Sequence, residues 1–326
     1  MTKQNHSSAK GLIATAALAL VLPASMPAQT LLPKPTRCNF FKGHNAIARV
    51  FSLENADTTS SNAFLTWAKA QGAQTKNALQ KGKKSAAHQS AQEPVMKFAA
   101  LNGNNNEAYS LRVTPDSIIV CADSDLGFLR ASQTADQLLH KGKLACADIS
   151  DQPAFEWRGA MIDVSRHFFP ISFLKKQVDI LSRYKINRLH LHLTDAAGWR
   201  IEIKRYPRLM TEAAWRTEAS WKTWWNEGGR RYSAPDSIGA YGGFYSQTEL
   251  RDLVAYAAQR GITIVPEIEM PAHSEEVLTA YPEFSCTHEP YKQADFCIGN
   301  AGSIDFLEHV LDEVMSVFPS EYIHIG

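Results

Sequence analysis

Downstream of Pro153, apolar positions follow two alternating periods along the chain. Short runs rich in Val, Ile, Leu and Met have the length of buried strands, and the segments between them repeat apolar residues at the spacing of a helix face. The predicted strands are 157–165, 186–195, 262–270 and 321–325, and the predicted helices are 173–185, 246–261 and 303–320. Ser172 and Thr248 are the predicted N-caps of the first two helices. This alternation predicts an α/β fold with a parallel sheet.

Two α/β architectures contain such a series, namely an open doubly wound sheet and an eight-stranded barrel. No glycine-rich phosphate loop follows the first predicted strand, which argues against a dinucleotide-binding sheet. Polar residues follow the carboxyl ends of the first three strands, at 163–167, 192–195 and 267–273. In barrel enzymes that edge carries the active site. Residues 153–326 are therefore predicted to be an incomplete (β/α)8 TIM barrel with about the first four strands.

The region before the predicted barrel has a different pattern. Between residues 31 and 152, short apolar runs are broken by polar stretches, and the runs 109–113 and 117–121 flank a Thr-Pro-Asp turn, which is a hairpin signal. A helix is predicted over 127–140, and the polar stretch 79–94 is predicted to be a solvated excursion. These patterns predict a small α+β domain.

The N-terminus has the layout of a secretory signal. Two lysines precede an apolar run from Gly11 to Leu22, and small residues and prolines follow it. The run is too short to cross a bilayer as a helix. Residues 1–28 are predicted to be a signal peptide that is cleaved near Ala24 or Ala28. The mature protein is predicted to be periplasmic or secreted, without stable membrane insertion; a retained N-terminal anchor is the alternative.

Charge and cysteine content narrow the possible partners. Lys and Arg number 34 against 33 Asp and Glu, so no net field favours nucleic acid or an anionic membrane. Export would place the five cysteines in an oxidising compartment. Cys286 and Cys297 bracket a short polar segment and are predicted to form a disulfide. Cys121 and Cys146 are a second candidate pair, which leaves Cys38 over, and no CxxC or Cys/His cluster supports a redox or metal role.

His190 and His192 are two positions apart on a predicted strand, so their side chains share a face. Such a pair on a barrel strand suits zinc or another divalent ion. A metal site needs further ligands, however, and the only other histidine counted at a strand edge is His273. No metal is therefore predicted, and a metal site is kept as the alternative.

Asp195 and His273 follow consecutive predicted strands and are expected to meet across the mouth of the barrel. A carboxylate beside an imidazole fixes its tautomer and raises its pKa, which suits a group that relays a proton or supports one that does. A structural ion pair is the alternative. Arg166, just after the first strand, offers a planar set of donors for hydroxyls or a carboxylate, and a surface salt bridge is the alternative for this residue.

The connection from Trp199 to Gly243 is much longer than an ordinary βα loop. It contains four further tryptophans: Trp215, Trp221, Trp224 and Trp225. Long loops at the catalytic face often form binding walls, and indole faces suit the C–H surfaces of sugars. An inserted subdomain in which the tryptophans pack on one another fits the pattern equally well.

Four segments together carry a specific resemblance to a known family. They are RGAMIDVSRHFFP, HLHLTDAAGWRIEIKRYP, YGGFYSQTELRDLVAYAAQRGITIVPEIEMPAH and FPSEYIHIG. In this order they closely resemble family 20 glycoside hydrolases, the β-N-acetylhexosaminidases, from about Pro153 to Gly326. Weaker similarity upstream, in GFLRASQTADQLL and ISDQPAFEWRG, resembles the end of the small α+β domain that precedes this family's barrel.

The resemblance implies hydrolysis of terminal, non-reducing β-linked N-acetylglucosamine or N-acetylgalactosamine, without a cofactor. Chito-oligosaccharides or glycan termini are the implied carbohydrate substrates. The substrate's own acetamido oxygen attacks the anomeric carbon, with retention, while an aspartate orients the acetamide and the adjacent glutamate is general acid and base. Arg166 is implied to hold the O3 and O4 hydroxyls of the sugar. Asp195 and His273 are implied to form a hydrogen-bonded relay behind the catalytic glutamate.

In the same family, the strand that here ends at Gly326 runs directly into the catalytic aspartate and glutamate. The 326-residue chain is therefore predicted to be the N-terminal part of an enzyme and to be inactive by itself. A non-catalytic sugar-binding remnant is one alternative. A metal-dependent barrel hydrolase built on His190 and His192 is the other.

Three positions depart from the commoner family pattern. Ala196 stands where a second aspartate often follows Asp195, Glu269 where aspartate is usual, and Ala272 where glycine usually precedes the histidine. The first two are interpreted as marks of a subgroup. Ala272 matters for function if the backbone there needs positive φ, which alanine tolerates poorly.

Overall fold

The computed structural model describes residues 30–55, 62–77 and 94–326 of the chain. The described residues form a mixed α/β structure with an eight-stranded sheet first and a three-stranded parallel sheet after it. The predicted signal peptide and nearly all of the predicted polar excursion at 79–94 lie outside the described residues. Within the described part of the chain, no helix is long and apolar enough to cross a bilayer.

The N-terminal sheet shares one apolar core with two helices. Its elements are β1 (Arg37–Ala46), β2 (Val50–Glu54), α1 (Asn62–Ala70), β3 (Gln74–Asn77), β4 (Val95–Ala99), β5 (Tyr109–Val113), β6 (Ser117–Ala122), α2 (Asp125–Leu138), β7 (Leu139–His140) and β8 (Lys143–Asp151). The strands lie in the order β1-β8-β5-β6-β4-β2-β3, and β7 pairs with β8. The predicted hairpin is confirmed as the antiparallel β5–β6 pair, and the helix predicted over 127–140 is α2.

The candidate disulfide between Cys121 and Cys146 is wrong, since both thiols are free, as is Cys38. Cys121 lies on β6 and Cys146 on β8, and β5 runs between these strands. Two strand spacings of about 4.8 Å each separate the two backbones. That exceeds the Cα separation of about 4.4–6.8 Å that a disulfide tolerates.

The second sheet contains β9 (Gly159–Asp163), β10 (Arg188–His192) and β13 (Thr263–Glu267), all parallel and in that spatial order. The elements between and after these strands are α3 (Ile171–Arg183), β11 (Trp215–Arg216), α4 (Trp221–Asn226), β12 (Tyr241–Gly242), α5 (Gln247–Ala258), α6 (Glu275–Ala280) and α7 (Ala301–Val317), with a π-helical turn at Leu209–Ala213 and a 3₁₀ turn at Pro282–Phe284. Apolar residues of α3, α5 and α7 pack with those of the strands in one core. The register pairs His192 with Asp163 on one side and with Glu267 on the other, so the polar carboxyl ends of three strands meet at one edge.

The fourth predicted strand, 321–325, is wrong as a regular buried strand. Only His324 forms a β-bridge, which is parallel and pairs it with Glu267. The backbone N–H of His324 donates to Pro266 O at 2.9 Å, and that of Ile268 donates to His324 O at 3.0 Å. Tyr322 and Ile325 are more than half exposed. An apolar run predicts burial only when layers cover both faces, and such cover is missing from the described residues.

Both predicted N-caps are also wrong. Helix α3 begins at Ile171, with Pro170 at the N-cap and no side-chain cap bond. Helix α5 has Ser246 at its N-cap in a capping box with Glu249. Ser246 Oγ accepts from the Glu249 N–H at 3.2 Å, and Glu249 Oε2 accepts from the Ser246 N–H at 2.8 Å. Neighbouring serine and threonine residues fit the same sequence signal, so only the backbone decides which one caps.

A buried polar network joins the N-terminal sheet to the second sheet. Glu107 accepts hydrogen bonds from Arg158 Nη2 at 2.5 Å, and Lys185 Nζ lies 2.8 Å from both Tyr109 Oη and Asp151 Oδ2. These charged side chains are between 7% and 14% exposed. Because each charge has an opposite partner, the network tolerates its burial. Residues Leu31–Gly326 form one compact unit.

Candidate active site

Arg166 is fixed at the carboxyl edge of the parallel sheet by Asp163, the last residue of β9. Asp163 Oδ1 accepts from the backbone N–H groups of Ser165 and Arg166, both at 3.0 Å. Its Oδ2 lies 3.0 Å from Arg166 Nη1. An aspartate that binds the backbone two and three residues on makes a local turn, and this turn aims the guanidinium across the ends of the strands.

The Arg166 guanidinium also contacts a buried carboxylate, that of Asp195. Nη2 lies 2.5 Å from Asp195 Oδ2, and Nη1 lies 2.8 Å from His192 Nε2. The Arg166 side chain is 32% exposed, whereas that of Asp195 is 4% exposed. Arginine has five N–H donors, and the contacts to Asp163, His192 and Asp195 occupy three of them. Nε and one N–H of Nη2 remain for a ligand.

Asp195 Oδ2 is the point at which the site's positive groups converge. His273 Nδ1 lies 3.2 Å from this atom and His192 Nε2 lies 3.3 Å from it, in addition to Arg166. Burial alone would raise the pKa of Asp195, but the hydrogen bond to His192 and the charges of Arg166 and His273 lower that pKa below its usual value. The structure thus places Arg166, Asp195 and His273, the three residues selected from the sequence, in one cluster.

Glu267, at the end of β13, also belongs to the site. Its contacts with the histidines are not predicted from the sequence. His190 Nε2 lies 2.7 Å from Glu267 Oε2, and His192 Nδ1 contacts the same oxygen. His324 Nδ1 lies 2.8 Å from Oε1. His192 therefore lies between two carboxylates, with Nδ1 at Glu267 Oε2 and Nε2 3.3 Å from Asp195 Oδ2. The parallel register that pairs positions 192 and 267 is the signal that would have identified this contact.

Three groups of side chains in the described residues bring possible metal-ligand atoms within 4.8 Å of one another. They are His190, Glu267 and His324; His192, Glu267 and Glu269; and Asp195, Glu269 and His273. His324 is thus a second histidine near this edge, in addition to His273. The histidines nevertheless contact carboxylate oxygens directly at hydrogen-bond distances. The predicted absence of a metal stays a prediction.

The structure shows the contacts of the three residues that depart from the commoner family pattern, Ala196, Glu269 and Ala272. Ala196 donates its backbone N–H to Asp195 Oδ1 at 2.7 Å and is buried. Glu269 Oε1 lies 3.8 Å from His192 Nε2, and burial and the negative charge of Asp195 raise the pKa of Glu269. The left-handed backbone conformation falls on His273, with φ of 53°, and not on Ala272. Alanine is therefore compatible with the backbone at position 272.

The long connection after Trp199 forms a wall beside the cluster. Arg216 Nη2 donates to Arg166 O at 3.0 Å, and Tyr232 Oη donates to Ala196 O at 2.6 Å. Trp224 is fully buried, as an inserted subdomain predicts, whereas Trp221 and Trp225 are 41% and 37% exposed. The connection therefore has its own small core and also presents indoles to solvent.

The disulfide predicted between Cys286 and Cys297 is present. It closes a loop that contains Tyr291, whose ring stacks on Tyr232 with a centroid separation of 5.9 Å. The disulfide loop and the tryptophan-containing connection therefore support each other next to the cluster.

Comparison with known families places both parts of the chain in one group. The model of the glycosyl hydrolase family 20 catalytic domain matches residues 155–326, which is more than half of the chain. The model of domain 2 of the same family matches residues 28–152.

Individual relatives agree with these matches. The β-hexosaminidase of Porphyromonas gingivalis is 38% identical over 239 residues, which cover 68% of this chain and 29% of that protein. The β-hexosaminidase of Vibrio furnissii is 39% identical over 232 residues, which cover 67% of this chain and 37% of that protein. The matched part of the chain thus spans roughly a third of the length of these relatives.

Solved structures give the same similarity over more of the chain. An exo-β-N-acetylglucosaminidase of Vibrio harveyi in complex with N-acetylglucosamine superposes with a TM-score of 0.72 and 32% identity, covering 94% of this chain and 48% of that one. A β-N-acetylhexosaminidase of Bacteroides fragilis superposes with a TM-score of 0.70 and 33% identity, covering 91% of this chain and 56% of that one.

Proposed function

Because the chain belongs to glycosyl hydrolase family 20, we propose that its carboxyl-edge cluster is part of the active site of an exo-acting β-N-acetylhexosaminidase. The proposed reaction releases terminal, non-reducing N-acetylglucosamine or N-acetylgalactosamine from chito-oligosaccharides or glycan termini. The substrate's acetamido oxygen is the proposed nucleophile, in a retaining mechanism.

The observation that carries the proposal is the convergence of Arg166, His192 and His273 on Asp195 Oδ2. Arg166 keeps two unused N–H donors and one-third of its side chain exposed, which suits the two neighbouring hydroxyls of a terminal sugar. Asp195, with its lowered pKa, stays ionised and accepts from His273 Nδ1–H. The His273 side chain is 59% exposed, and its other ring nitrogen is the atom proposed to support the catalytic acid.

The position of Gly326 beside the cluster supports this assignment. A Cβ on Gly326 would lie 2.1 Å from Glu269 Oε2, so the segment 324–326 ends against a carboxylate of the cluster. In the sequences that this segment resembles, the catalytic aspartate and glutamate follow directly. We therefore propose that this pair enters the site beside Glu269 and His273, with the glutamate as general acid and base.

The finer architecture is proposed on the same basis. Residues 153–326 are proposed to be the first part of a (β/α)8 barrel, with strands β9, β10 and β13 and the segment 321–325 in the fourth position. Residues 31–152 are proposed to be the small α+β domain before it. The order and parallel direction of the three strands and the separate matches of the two family models support this. The disulfide supports a periplasmic or secreted location.

The test is hydrolysis of an aryl N-acetyl-β-glucosaminide by the 326-residue chain and by a longer form that carries the family's Asp–Glu pair and the rest of the barrel. We expect turnover by the longer form only. In that form, Arg166→Ala should lower kcat/KM about 10- to 100-fold, because charged hydrogen bonds are worth about 1.5–3 kcal/mol.

The matched control is Arg188→Ala, which removes the same charge from the far end of β10, where Arg188 packs on Trp157. It should change kcat/KM less than about twofold, as expected for a residue outside the site. Clear turnover by the 326-residue chain, or equal effects of the two substitutions, would contradict the site assignment.

A further inference from the structure

We infer that Trp221 and Trp225, together with Arg230, form a second sugar-binding surface that holds the units on the leaving-group side of a β-linked N-acetylglucosamine chain. This surface is called the indole platform below. The inference rests on the proposed function, since it concerns the part of the substrate that stays outside the site of the terminal sugar.

The indole platform is built on the short helix α4. Ser220 caps this helix by accepting from the Thr223 N–H at 3.3 Å. Trp221 and Trp225 are four residues apart and so lie on one helix face. Their rings stack with a centroid separation of 5.9 Å and an interplanar angle of 30°. Trp224 anchors the helix from beneath, because it is fully buried and its Nε1 donates to Arg231 O at 2.9 Å.

Arg230 adds polar recognition to this apolar surface. Its guanidinium carbon lies 3.5 Å from the centroid of the Trp225 ring, and its Nη1 lies 3.6 Å from Glu275 Oε2. The side chain is 39% exposed, and guanidinium donors not directed at Glu275 remain for a ligand. Stacked indoles beside a planar donor group match a sugar that has C–H faces and an acetamide carbonyl.

Two connections place the indole platform on the rim of the candidate active site. Arg216 packs against the Trp224 ring at 5.9 Å and donates to Arg166 O at 3.0 Å. Glu275, the partner of Arg230, is two residues after His273 in the sequence. The platform and the cluster are thus parts of one surface at the carboxyl edge of the sheet.

The size of the platform favours an oligosaccharide over a protein partner. A stable protein interface buries about 1,200–2,000 Å², far more than two half-exposed indoles and an arginine provide. A sugar unit needs only one aromatic face and a few donors. An exo-acting enzyme leaves the remainder of its substrate outside the terminal-sugar site, and that remainder is the ligand assigned to the platform.

The test is calorimetric titration of the 326-residue chain with N-acetylglucosamine and with its β-1,4-linked trimer. Trp221→Ala and Trp225→Ala should each weaken trimer binding about five- to tenfold and leave monosaccharide binding unchanged. The matched control is Trp157→Ala, since Trp157 is 51% exposed and packs on Tyr322, outside the platform. Far-UV circular dichroism of each variant checks that the fold is intact.

The outcomes separate this inference from the proposed function. If the unchanged chain does not bind the trimer, or if all three tryptophan variants bind it equally well, the platform is overturned. If Trp221→Ala weakens trimer binding while Arg166→Ala changes neither ligand's affinity, the platform stands and the proposed function fails. If Arg166→Ala weakens both ligands and the platform variants weaken neither, the proposed function stands and the platform fails.

Discussion

At the scale of single residues, two buried carboxylates lie close to each other in opposite environments. Asp195 has three positive or hydrogen-bonding partners on one oxygen, and these lower its pKa despite its burial. Glu276, in the first turn of α6, is 1% exposed, and neither of its carboxylate oxygens has a hydrogen-bond partner among the described residues. Burial and the charge of Asp195 raise the pKa of Glu276 well above its usual value.

Glu276 makes a prediction about pH that can be checked on the 326-residue chain. A carboxyl group whose pKa is raised by folding loses stability as the pH rises above its unfolded value of about 4.3. Glu276→Gln removes that loss, so it should raise Tm at pH 7 by at least about 2–4 °C, which is what about 1 kcal/mol produces in a domain of this size.

The same substitution should leave Tm nearly unchanged at about pH 3, where glutamate is almost fully protonated in both states. Thermal unfolding of the two proteins across this pH range measures the difference. A gain that is the same at both pH values, or a loss at pH 7, would show that folding does not raise the pKa of Glu276.

At the scale of elements, the sequence predicts where helices and strands lie better than how they begin or meet. Helices α3, α5 and α7 and strands β9, β10 and β13 are close to where the hydrophobic periodicity predicts them, because that periodicity reports which face is buried. The N-caps are not at the predicted positions. The backbone geometry decides which of several neighbouring residues caps a helix, and the caps here are Pro170 and Ser246. The contact of His192 with Glu267 depends on strand register, which no local pattern encodes. The pair Asp195 and His273 was predictable because each follows the carboxyl end of a strand.

The capping box of α5 gives a test at this scale. Ser246→Ala removes the hydroxyl that accepts from the Glu249 N–H and should lower the free energy of unfolding by about 1 kcal/mol. The control is Thr248→Ala, at the cap position predicted from sequence but exposed inside the helix, which should change stability by less than about 0.5 kcal/mol. Urea unfolding of both variants measures the two values, and equal losses would contradict the assignment of Ser246 as the cap.

At the scale of the whole molecule, buried charges rather than apolar contacts alone join the N-terminal sheet to the parallel sheet. Lys185 follows α3, whereas its partners Tyr109 and Asp151 belong to β5 and β8. Composition shows that the chain has charges of both signs, but it does not show which of them are buried together. This part of the architecture therefore came only from the structure.

Lys185→Met tests this connection. It leaves Asp151, whose side chain is 11% exposed, without its cation, and should lower the free energy of unfolding by about 3 kcal/mol. The control is Arg183→Ala, which removes a nearby cation. The Arg183 side chain is 53% exposed and lies 3.8 Å from Asp136, so this substitution should lower the free energy of unfolding by less than about 1 kcal/mol. Denaturant unfolding measures both losses, and a small effect of Lys185→Met would show that the network does not hold the two sheets together.

Arg166 is proposed to hold the terminal sugar, and Asp195 and His273 are proposed to support its catalytic acid. The most direct measurement is the position of N-acetylglucosamine in a crystal structure of the complex. We expect sugar hydroxyls within hydrogen-bond distance of the free Nε and Nη2 donors of Arg166, with Asp195 and His273 still in contact. A sugar bound elsewhere on the molecule, or one that makes no contact with Arg166, would overturn the assignment of this site.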